Sequence, residues 1–348
     1  MVCCHFLKHW NLHGSNSANE ATMKGHYKNI LCVLSDSHRQ DETVAQAIHI
    51  AKTHQAEITI MLALEALPPN ANMVMESFSY IESQQNMETQ AQQWLSKQSK
   101  SWSQQYPVNT AVAIGDPLIN VVSRVVNHDV DLVIKRAEES FLDRLFGSLD
   151  MRLLRKCPCP VWIVDRKPKS QYKNVVAALD LNYHYPEHEA EVRRELNRDV
   201  LRHASQIALL EFAQLHVLHV FDAIPENMTR DGFVTVDNEN MEDNVASFFA
   251  ERDAELTRLL DELESDLDDH VLEYLKPQKH IVHGHPRRDI AATSTSVNAD
   301  VVIMGTVARV GIPGFIIGNT AEETMHQLQC AVVGIKPAGF KTPVSVEE

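Results

Sequence analysis

Short apolar runs alternate with longer amphipathic stretches along most of the chain. The runs from Glu57 to Leu64 and from Leu215 to Phe221 predict strands, because they are short and dense in apolar residues. Thr43 to His54 and Val200 to Phe212 repeat apolar positions at helical spacing and predict helices. Strands that are separated by helical crossovers form a parallel sheet covered on both faces, so the pattern predicts an α/β fold.

A comparison of the chain with itself shows that one set of landmarks occurs twice in the same order. Longer, more polar helices are predicted at equivalent places, from Glu88 to Gln105 and from Asn244 to Leu267. Two copies of one unit predict two five-stranded parallel layers. The paired landmarks are Tyr27-Lys28-Asn29-Ile30 with Tyr172-Lys173-Asn174-Val175, the acids Asp36 with Asp180, the turns Gly115-Asp116-Pro117 with Gly284-His285-Pro286, the strands opening at Asp131 with Asp300, and the strands carrying Cys159 with Cys330.

The most informative single stretch lies between Asp300 and Thr320. An apolar run, Val301 to Met304, is followed by Gly305, Gly311, Gly314 and Gly318, which are four of the 12 glycines in the chain. Asn319 and Thr320 then predict a helix start. Strand, glycine loop and helix N-terminus together are typical of a phosphate site, although a glycine-rich turn without a ligand is an equally weighted alternative.

This stretch resembles the nucleotide motif of universal stress proteins, in which a glycine, two residues, a second glycine and nine further residues precede Gly-Ser or Gly-Thr. Gly305 and Gly318 match the first and last glycines, while Ala308 and Asn319 depart from the pattern. The resemblance covers residues 27 to 337. It implies a tandem member of that family, with two adenine nucleotide alpha hydrolase-like domains packed on each other as two chains pack in the dimer.

The resemblance also implies where a ligand would bind in the second half. The cofactor would be ATP or another adenine nucleotide, and another small anion is the alternative. Asp180 would accept from ribose hydroxyls, although a turn or cap role is the equal alternative for it. The implied cofactor-binding residues are Asp180, Val220, Met304, Gly305, Gly318, Asn319 and Thr320, with Phe221 as the alternative to Val220.

The first half departs further from the motif. Lys135-Arg136-Ala137-Glu138-Glu139 stands where glycines would lie, although Gly147-Ser148 is kept. Side chains and carboxylates at that turn would oppose a polyphosphate, so residues 27 to 165 are predicted not to bind nucleotide. Lys135, Arg136 and Arg144 could meet another anion, but a solvated charged turn is the favoured interpretation.

Composition narrows the class of protein. The net charge of −15 argues against a general electrostatic interaction with nucleic acid or anionic lipid. Six cysteines without a C-x-x-C pair predict reduced thiols and a cytoplasmic protein. We expect residues 1–24 to be disordered. Two domains are predicted at 25–167 and 171–339, with a proline-containing linker between them and a tail at 340–348. Translation could also start at Met23.

The chain offers no recognisable catalytic motif. His216, His219, His280, His283 and His285 invite a metal interpretation, but strand-end histidines without a metal are the favoured one. Cys157 and Cys159 are predicted to be packing residues. The leading hypothesis is therefore a regulatory stress-response protein that binds rather than turns over its ligand, with unnamed protein partners and a possible homodimer. One alternative is a weak ATPase in which Asp180 would hold a metal. Another is an electron-transfer flavoprotein or nucleotidyl transferase, which is disfavoured because the chain shows no motif for a second substrate.

Overall fold

A computed structural model describes residues 26–35, 41–66, 77–138, 149–165, 169, 171–182, 185–222, 238–266, 271–306 and 318–345. The strands in these ranges are β1 (Asn29–Leu34), β2 (Glu57–Leu64), β3 (Asn109–Ile114), β4 (Leu132–Arg136), β5 (Val161–Val164), β6 (Asn174–Leu179), β7 (Gln214–Phe221), β8 (Gln278–His283), β9 (Val301–Gly305) and β10 (Ala331–Ile335). The helices are α1 (Asp41–His54), α2 (Ser77–Trp102), α3 (Pro117–Asn127), α4 (Leu149–Lys156), α5 (Glu187–Glu211), α6 (Asn238–Asp266), α7 (Val271–Leu275), α8 (Pro286–Ser296) and α9 (Asn319–Gln327).

The described strands form one sheet in the order β3-β2-β1-β4-β5-β10-β9-β6-β7-β8. All pairs within each half are parallel, which confirms the predicted pair of five-stranded parallel layers. β5 and β10 pair antiparallel, with Trp162 opposite Val333 and Val161 opposite Gly334. The two halves therefore join edge to edge into a continuous sheet, and every strand of one half runs opposite to every strand of the other.

Helices cover both faces of the sheet. One core contains α1, α2, α5, α6 and α7, and the other contains α3, α4, α8 and α9. The central strands have no solvent-facing side: Ile30 and Cys32 of β1 face the first core, Leu31 and Val33 face the second, and all four are fully buried. Within the described ranges, no helix is long and apolar enough to cross a membrane.

The duplication reappears as the same hydrogen bonds in both halves. In each half, an aspartate just before the fourth strand accepts hydrogen bonds from two backbone amides at the start of the first strand. The contacts are Asp131 with the amides of Lys28 and Asn29 at 2.6 and 3.1 Å, and Asp300 with the amides of Lys173 and Asn174 at 2.6 and 2.9 Å. The repeated asparagine also donates from its side chain to a backbone carbonyl, that of His128 for Asn29 and that of Asn298 for Asn174.

Several helices are longer than their apolar periodicity predicts. α5 begins at Glu187 rather than Val200, because its first turns are stabilised by ion pairs such as Arg193–Glu189 instead of by apolar positions. α2 and α6 also begin before their predicted starts, and α2 ends at Trp102 instead of Gln105. The predictions for residues 1–24, Asp36, Arg144, Gly147, Ser148, Ala308, Gly311 and Gly314 lie outside the described residues.

Candidate functional site

A cleft of about 900 Å³ opens at the carboxyl ends of β6, β7 and β9. Open α/β sheets bind ligands at this edge, next to the strand at which the strand order reverses. In the second half that strand is β6, which has β7 on one side and β9 on the other. All of the residues that the sequence predicted for a ligand line this one cleft: Asp180, Val220, Phe221, Met304, Gly305, Gly318, Asn319 and Thr320.

One side of the cleft is formed by the end of β9 and the start of α9. Gly318 is the N-cap residue of α9, and no side chain caps the helix. The Gly318 amide donates to the carbonyl of Thr306 at 3.2 Å, which fixes the helix start against the end of β9. The free amides of the first turn and the helix dipole make this side of the cleft suitable for an anion.

Asp180 lies in the cleft and also fills the turn role that was its alternative. One carboxylate oxygen accepts from the amide of Asn182 at 3.1 Å, and the other is 2.6 Å from a guanidinium nitrogen of Arg193. The backbone of Asp180 is held by Asn197, which donates to its carbonyl at 2.7 Å and accepts from its amide at 3.1 Å. A ligand at Asp180 would therefore meet a fixed carboxylate that is already neutralised by an arginine.

The opposite side of the cleft is formed by β7 and α6. Phe221 packs against Phe248, with ring centroids 6.5 Å apart, and His219 stacks on Phe221 at 6.1 Å. Arg252 also lines this side and is 5% exposed. Nothing in the sequence indicates that Arg252 lines a cleft, because this residue lies in a long, highly charged helix where an arginine predicts a solvated position.

His219 is almost completely buried, although it lines the cleft. Its Nδ1 lies 3.0 Å from the carbonyl oxygen of Leu179, which fixes the ring, and its Nε2 has no hydrogen-bond partner. Burial lowers the pKa of the imidazole, and the Leu179 carbonyl opposes that shift only in part. The Leu181 amide also lies 3.4 Å from Nδ1, so the hydrogen-bond contacts of the ring within the described residues are made by Nδ1 and none by Nε2.

Comparisons with known proteins decide the family. The family model described as "Universal stress protein family" matches residues 26–165 and 193–336. This chain belongs to the universal stress protein family.

Two relatives of that family match this chain across both domains. Universal stress protein E of Escherichia coli strain K12 is 23% identical over 333 residues, covering 92% of this chain and 98% of the relative. The universal stress protein E homolog of Haemophilus influenzae is 26% identical over 334 residues, covering 90% and 98%. The tandem membership that the resemblance implied is thereby confirmed.

Solved structures support the fold. The functionally unknown protein PA1789 from Pseudomonas aeruginosa PAO1 aligns with a TM-score of 0.56 at 23% identity, covering 90% of this chain and 94% of that chain. A universal stress protein from Archaeoglobus fulgidus aligns with a TM-score of 0.57 at 18% identity, covering 88% and 98%. At these identities the structures show the shared architecture.

The first universal stress domain differs from the second at the equivalent of the cleft. Lys135 pairs with Val33 in the sheet as Met304 pairs with Ala178, so Lys135 occupies the position of Met304. Its ammonium donates to Asp150 Oδ1 at 2.6 Å. Lys135 is 2% exposed and Asp150 is fully buried, and burial raises the pKa of the Asp150 carboxyl against the opposing lysine charge.

The interpretation of this turn as solvated was therefore wrong for Lys135. The sequence places Lys135 next to charged neighbours, but its partner Asp150 is distant in sequence and could not be recognised as such. Asp150 Oδ2 also accepts from the amide of Glu138 at 2.9 Å, and Lys135 donates to the Arg136 carbonyl at 3.1 Å. A buried ion pair with this many hydrogen bonds thus stands where the second domain has the apolar side chain of Met304.

The histidines of interest do not converge on one point. His216 and His280 form a pair, with Nδ1 and Nε2 3.0 Å apart, while the His283 ring is tilted against that of Phe221 with centroids 5.5 Å apart, and His285 lines the cleft. In the ranges that the structure describes, no group of three or more His, Cys, Asp or Glu residues could hold a metal ion.

Cys157 and Cys159 lie in the core between α4 and β5. Their sulfur atoms are 3.5 Å apart, and both residues carry free thiols packed among apolar side chains. Lys336, the residue after β10, is buried close enough to interact with Cys157, and it donates both to Thr306 Oγ1 at 2.7 Å and to the Leu154 carbonyl of α4 in the first domain. These contacts fit the predicted packing role and tie the two universal stress domains together.

Proposed function

We propose that this tandem universal stress protein acts by binding. The cleft of the second domain takes up a nucleotide or another small anion, and the filled or empty state of the cleft regulates the response of the cell to stress. The observation that carries the proposal is the convergence of the predicted ligand residues on one cleft beside the uncapped start of α9. The proposed compartment is the cytoplasm, where buried thiols stay reduced.

The first domain supports this assignment by contrast. Its buried Lys135–Asp150 pair occupies the place of Met304 and its surroundings, so a ligand would have to displace two charges that satisfy each other. Separating a buried ion pair costs several kcal/mol. The first domain is therefore proposed as a structural partner of the second and not as a second binding site.

Binding without turnover is favoured over the weak ATPase by the state of Asp180. A divalent metal at the phosphates would need carboxylate ligands, and Asp180 is the candidate that the sequence offers. In the cleft this carboxylate is paired with Arg193 at 2.6 Å. A metal would have to compete with a guanidinium for the same oxygens.

Calorimetry with ATP, with and without magnesium, tests the proposal on the full chain. The wild type is expected to bind one ATP, and Gly318→Asp is expected to abolish binding, because a carboxylate at the helix N-terminus repels phosphate. Ser103→Asp adds the same charge at an exposed turn far from the cleft and serves as the matched control. ATP binding that Gly318→Asp leaves unchanged would overturn the assignment of the cleft.

Labelled ATP then separates binding from catalysis. The expected result is that the wild type releases no more phosphate than Gly318→Asp does. Sustained release that is lost in Gly318→Asp, and kept in Ser103→Asp, would establish the ATPase in place of the binding protein.

A further inference from the structure

Arg252 on α6 lines the cleft, and the nucleotide assignment makes no use of its charge. The residue is 5% exposed, and within the described part of the chain its buried Nε has no hydrogen-bond partner. Among the same residues, its guanidinium meets only the carboxylate of the adjacent Glu251, at 2.9 Å from Nη1. The Glu251 side chain is 56% exposed, so water screens most of that contact.

Burying a guanidinium with so few hydrogen-bond acceptors destabilises the folded protein. The group carries five N–H donors and no acceptor, so its burial leaves several donors that need partners. Buried charges are normally paired and hydrogen-bonded. Asp222 lines the same cleft, but it forms no ion pair with Arg252. The missing acceptors of Arg252 are therefore best supplied from the cleft.

His219 supplies a second unpartnered atom on the same side of the cleft. Its Nε2 is buried and free of hydrogen bonds, while Nδ1 is fixed by the Leu179 carbonyl. His219 and Arg252 lie close enough for their charges to interact. An acidic group that bound Arg252 would also favour a proton on Nε2, and the ring would then become a second donor.

The position of this pair is distinct from the start of α9. Arg252 and His219 belong to α6 and β7, while Gly318 follows β9, and β6 lies between those two strands. Two strand spacings correspond to about 10 Å. The cleft thus has two separate places that favour negative charge.

We propose that Arg252 and His219 form an oxyanion subsite, which takes a carboxylate or phosphate group of a ligand whose other acidic group lies at the start of α9. The planar guanidinium is suited to bind two oxygens of such a group at once. The physiological ligand is then a small molecule with acidic groups at both ends. This proposal rests on the proposed use of the cleft and narrows its ligand class.

The first test measures Arg252 directly with inorganic phosphate as the probe. In nitrogen-15 spectra of the full-length wild type, the Nε–H resonance of Arg252 is assigned by its absence in Arg252→Gln. Phosphate is expected to shift this resonance downfield in a saturable way, since the N–H gains an acceptor. The proposal would be overturned if phosphate up to tens of millimolar shifted other resonances but not that of the Arg252 Nε–H. This outcome is measured on the wild type, so it does not depend on a variant that binds phosphate.

The second test compares phosphate affinity among variants. Arg252→Gln is expected to weaken binding at this subsite about tenfold to a hundredfold, as for a lost hydrogen bond to a charged group. Arg252→Lys keeps the charge and should retain part of the affinity. Arg258→Gln, on the same helix, removes an exposed arginine that is paired with Glu255 and Glu262, and it should change nothing.

Gly318→Asp distinguishes failure of this subsite from failure of the proposed function. If both places exist, Gly318→Asp removes ATP binding but leaves the phosphate response of Arg252 intact. If Gly318→Asp removes every phosphate response and Arg252→Gln removes none, the anion binds only at α9; the cleft assignment then stands and the Arg252 subsite does not.

Discussion

At the scale of single residues, Gly305 shows that a glycine in a binding motif can have a packing reason. Gly305 ends β9 beneath α5, and a Cβ at this position would lie 2.6 Å from Cδ2 of Leu196. The sequence suggests that Gly305 allows the backbone to come close to an anion. The structure adds that the helix above the strand requires it, so the presence of Gly305 alone says little about a ligand.

Gly305→Ala is expected to destabilise the protein by about 1–3 kcal/mol, the usual cost of overpacking. Leu196→Ala leaves a cavity that the new methyl group partly fills, so the double variant should be less destabilised than the sum of the two single changes. Urea unfolding of the four proteins in this cycle measures the coupling. Strict additivity would show that Leu196 is not what restricts position 305.

Arg252 marks the limit of sequence reasoning at this scale. The residues of the glycine stretch and the strand ends could be predicted, because a motif and the topology of parallel sheets both point to them. Arg252 and Arg193 could not, since each lies in a charged helix and reaches the cleft only through the packing of that helix on the sheet.

At the scale of elements, the end of α5 carries an identifiable strain. Phe212 adopts a left-handed conformation with φ 55° and ψ 37°, and its amide closes the helix on the carbonyls of Ala208 and Leu209. A residue with a side chain is disfavoured there, and the Phe212 ring is exposed and gains little from packing. The predicted end at Phe212 is within one residue of the observed end at Glu211, but the apolar pattern does not reveal the conformation of Phe212 that ends the helix.

Phe212→Gly is expected to stabilise the protein by about 1 kcal/mol relative to Phe212→Ala, because glycine adopts the left-handed conformation at no steric cost. Phe212→Ala keeps the backbone strain while removing the ring, and it therefore isolates the conformational effect. Thermal and urea unfolding measure the difference. Equal stability of the two variants would contradict the strain described here.

Most of the elements could be predicted because the apolar runs, the turns and the internal repeat gave the same answer. The junction of the halves could not. Val161–Val164 and Ala331–Ile335 resemble the other buried strands of the chain, and an apolar pattern does not encode whether two strand edges meet parallel or antiparallel. The length of α5 was missed for a related reason, since ion pairs leave no apolar period.

At the scale of the whole molecule, polar contacts between the halves supplement the β5–β10 pairing. His49 of α1 lies 2.8 Å from the carboxylate of Glu211 at the end of α5, and the Tyr27 hydroxyl lies 3.0 Å from His203 Nδ1. The hydrogen bond that His49 donates to the Glu211 carboxylate raises the pKa of His49, while partial burial opposes the shift. The association of the halves should therefore depend on pH.

The stabilisation from His49 is fully present below the unfolded pKa of about 6.5, and it is lost as the pH rises through the higher folded pKa. The stability difference between the wild type and His49→Gln should thus be largest near about pH 5.5 and should fade by about pH 8.5. Melting temperatures across this range measure it. His128→Gln, at an exposed position, is the control; a difference that is independent of pH would exclude the ionic contact.

The antiparallel seam between β5 and β10 fixes where the two halves can act. The strands of one half run antiparallel to those of the other. The carboxyl ends of the strands in the first domain therefore lie at one edge of the sheet, and those in the second domain lie at the opposite edge. No small molecule can touch both edges at once. Any coupling between the two edges has to cross the interface of the halves, where the paired strands and the His49–Glu211 and Tyr27–His203 contacts lie.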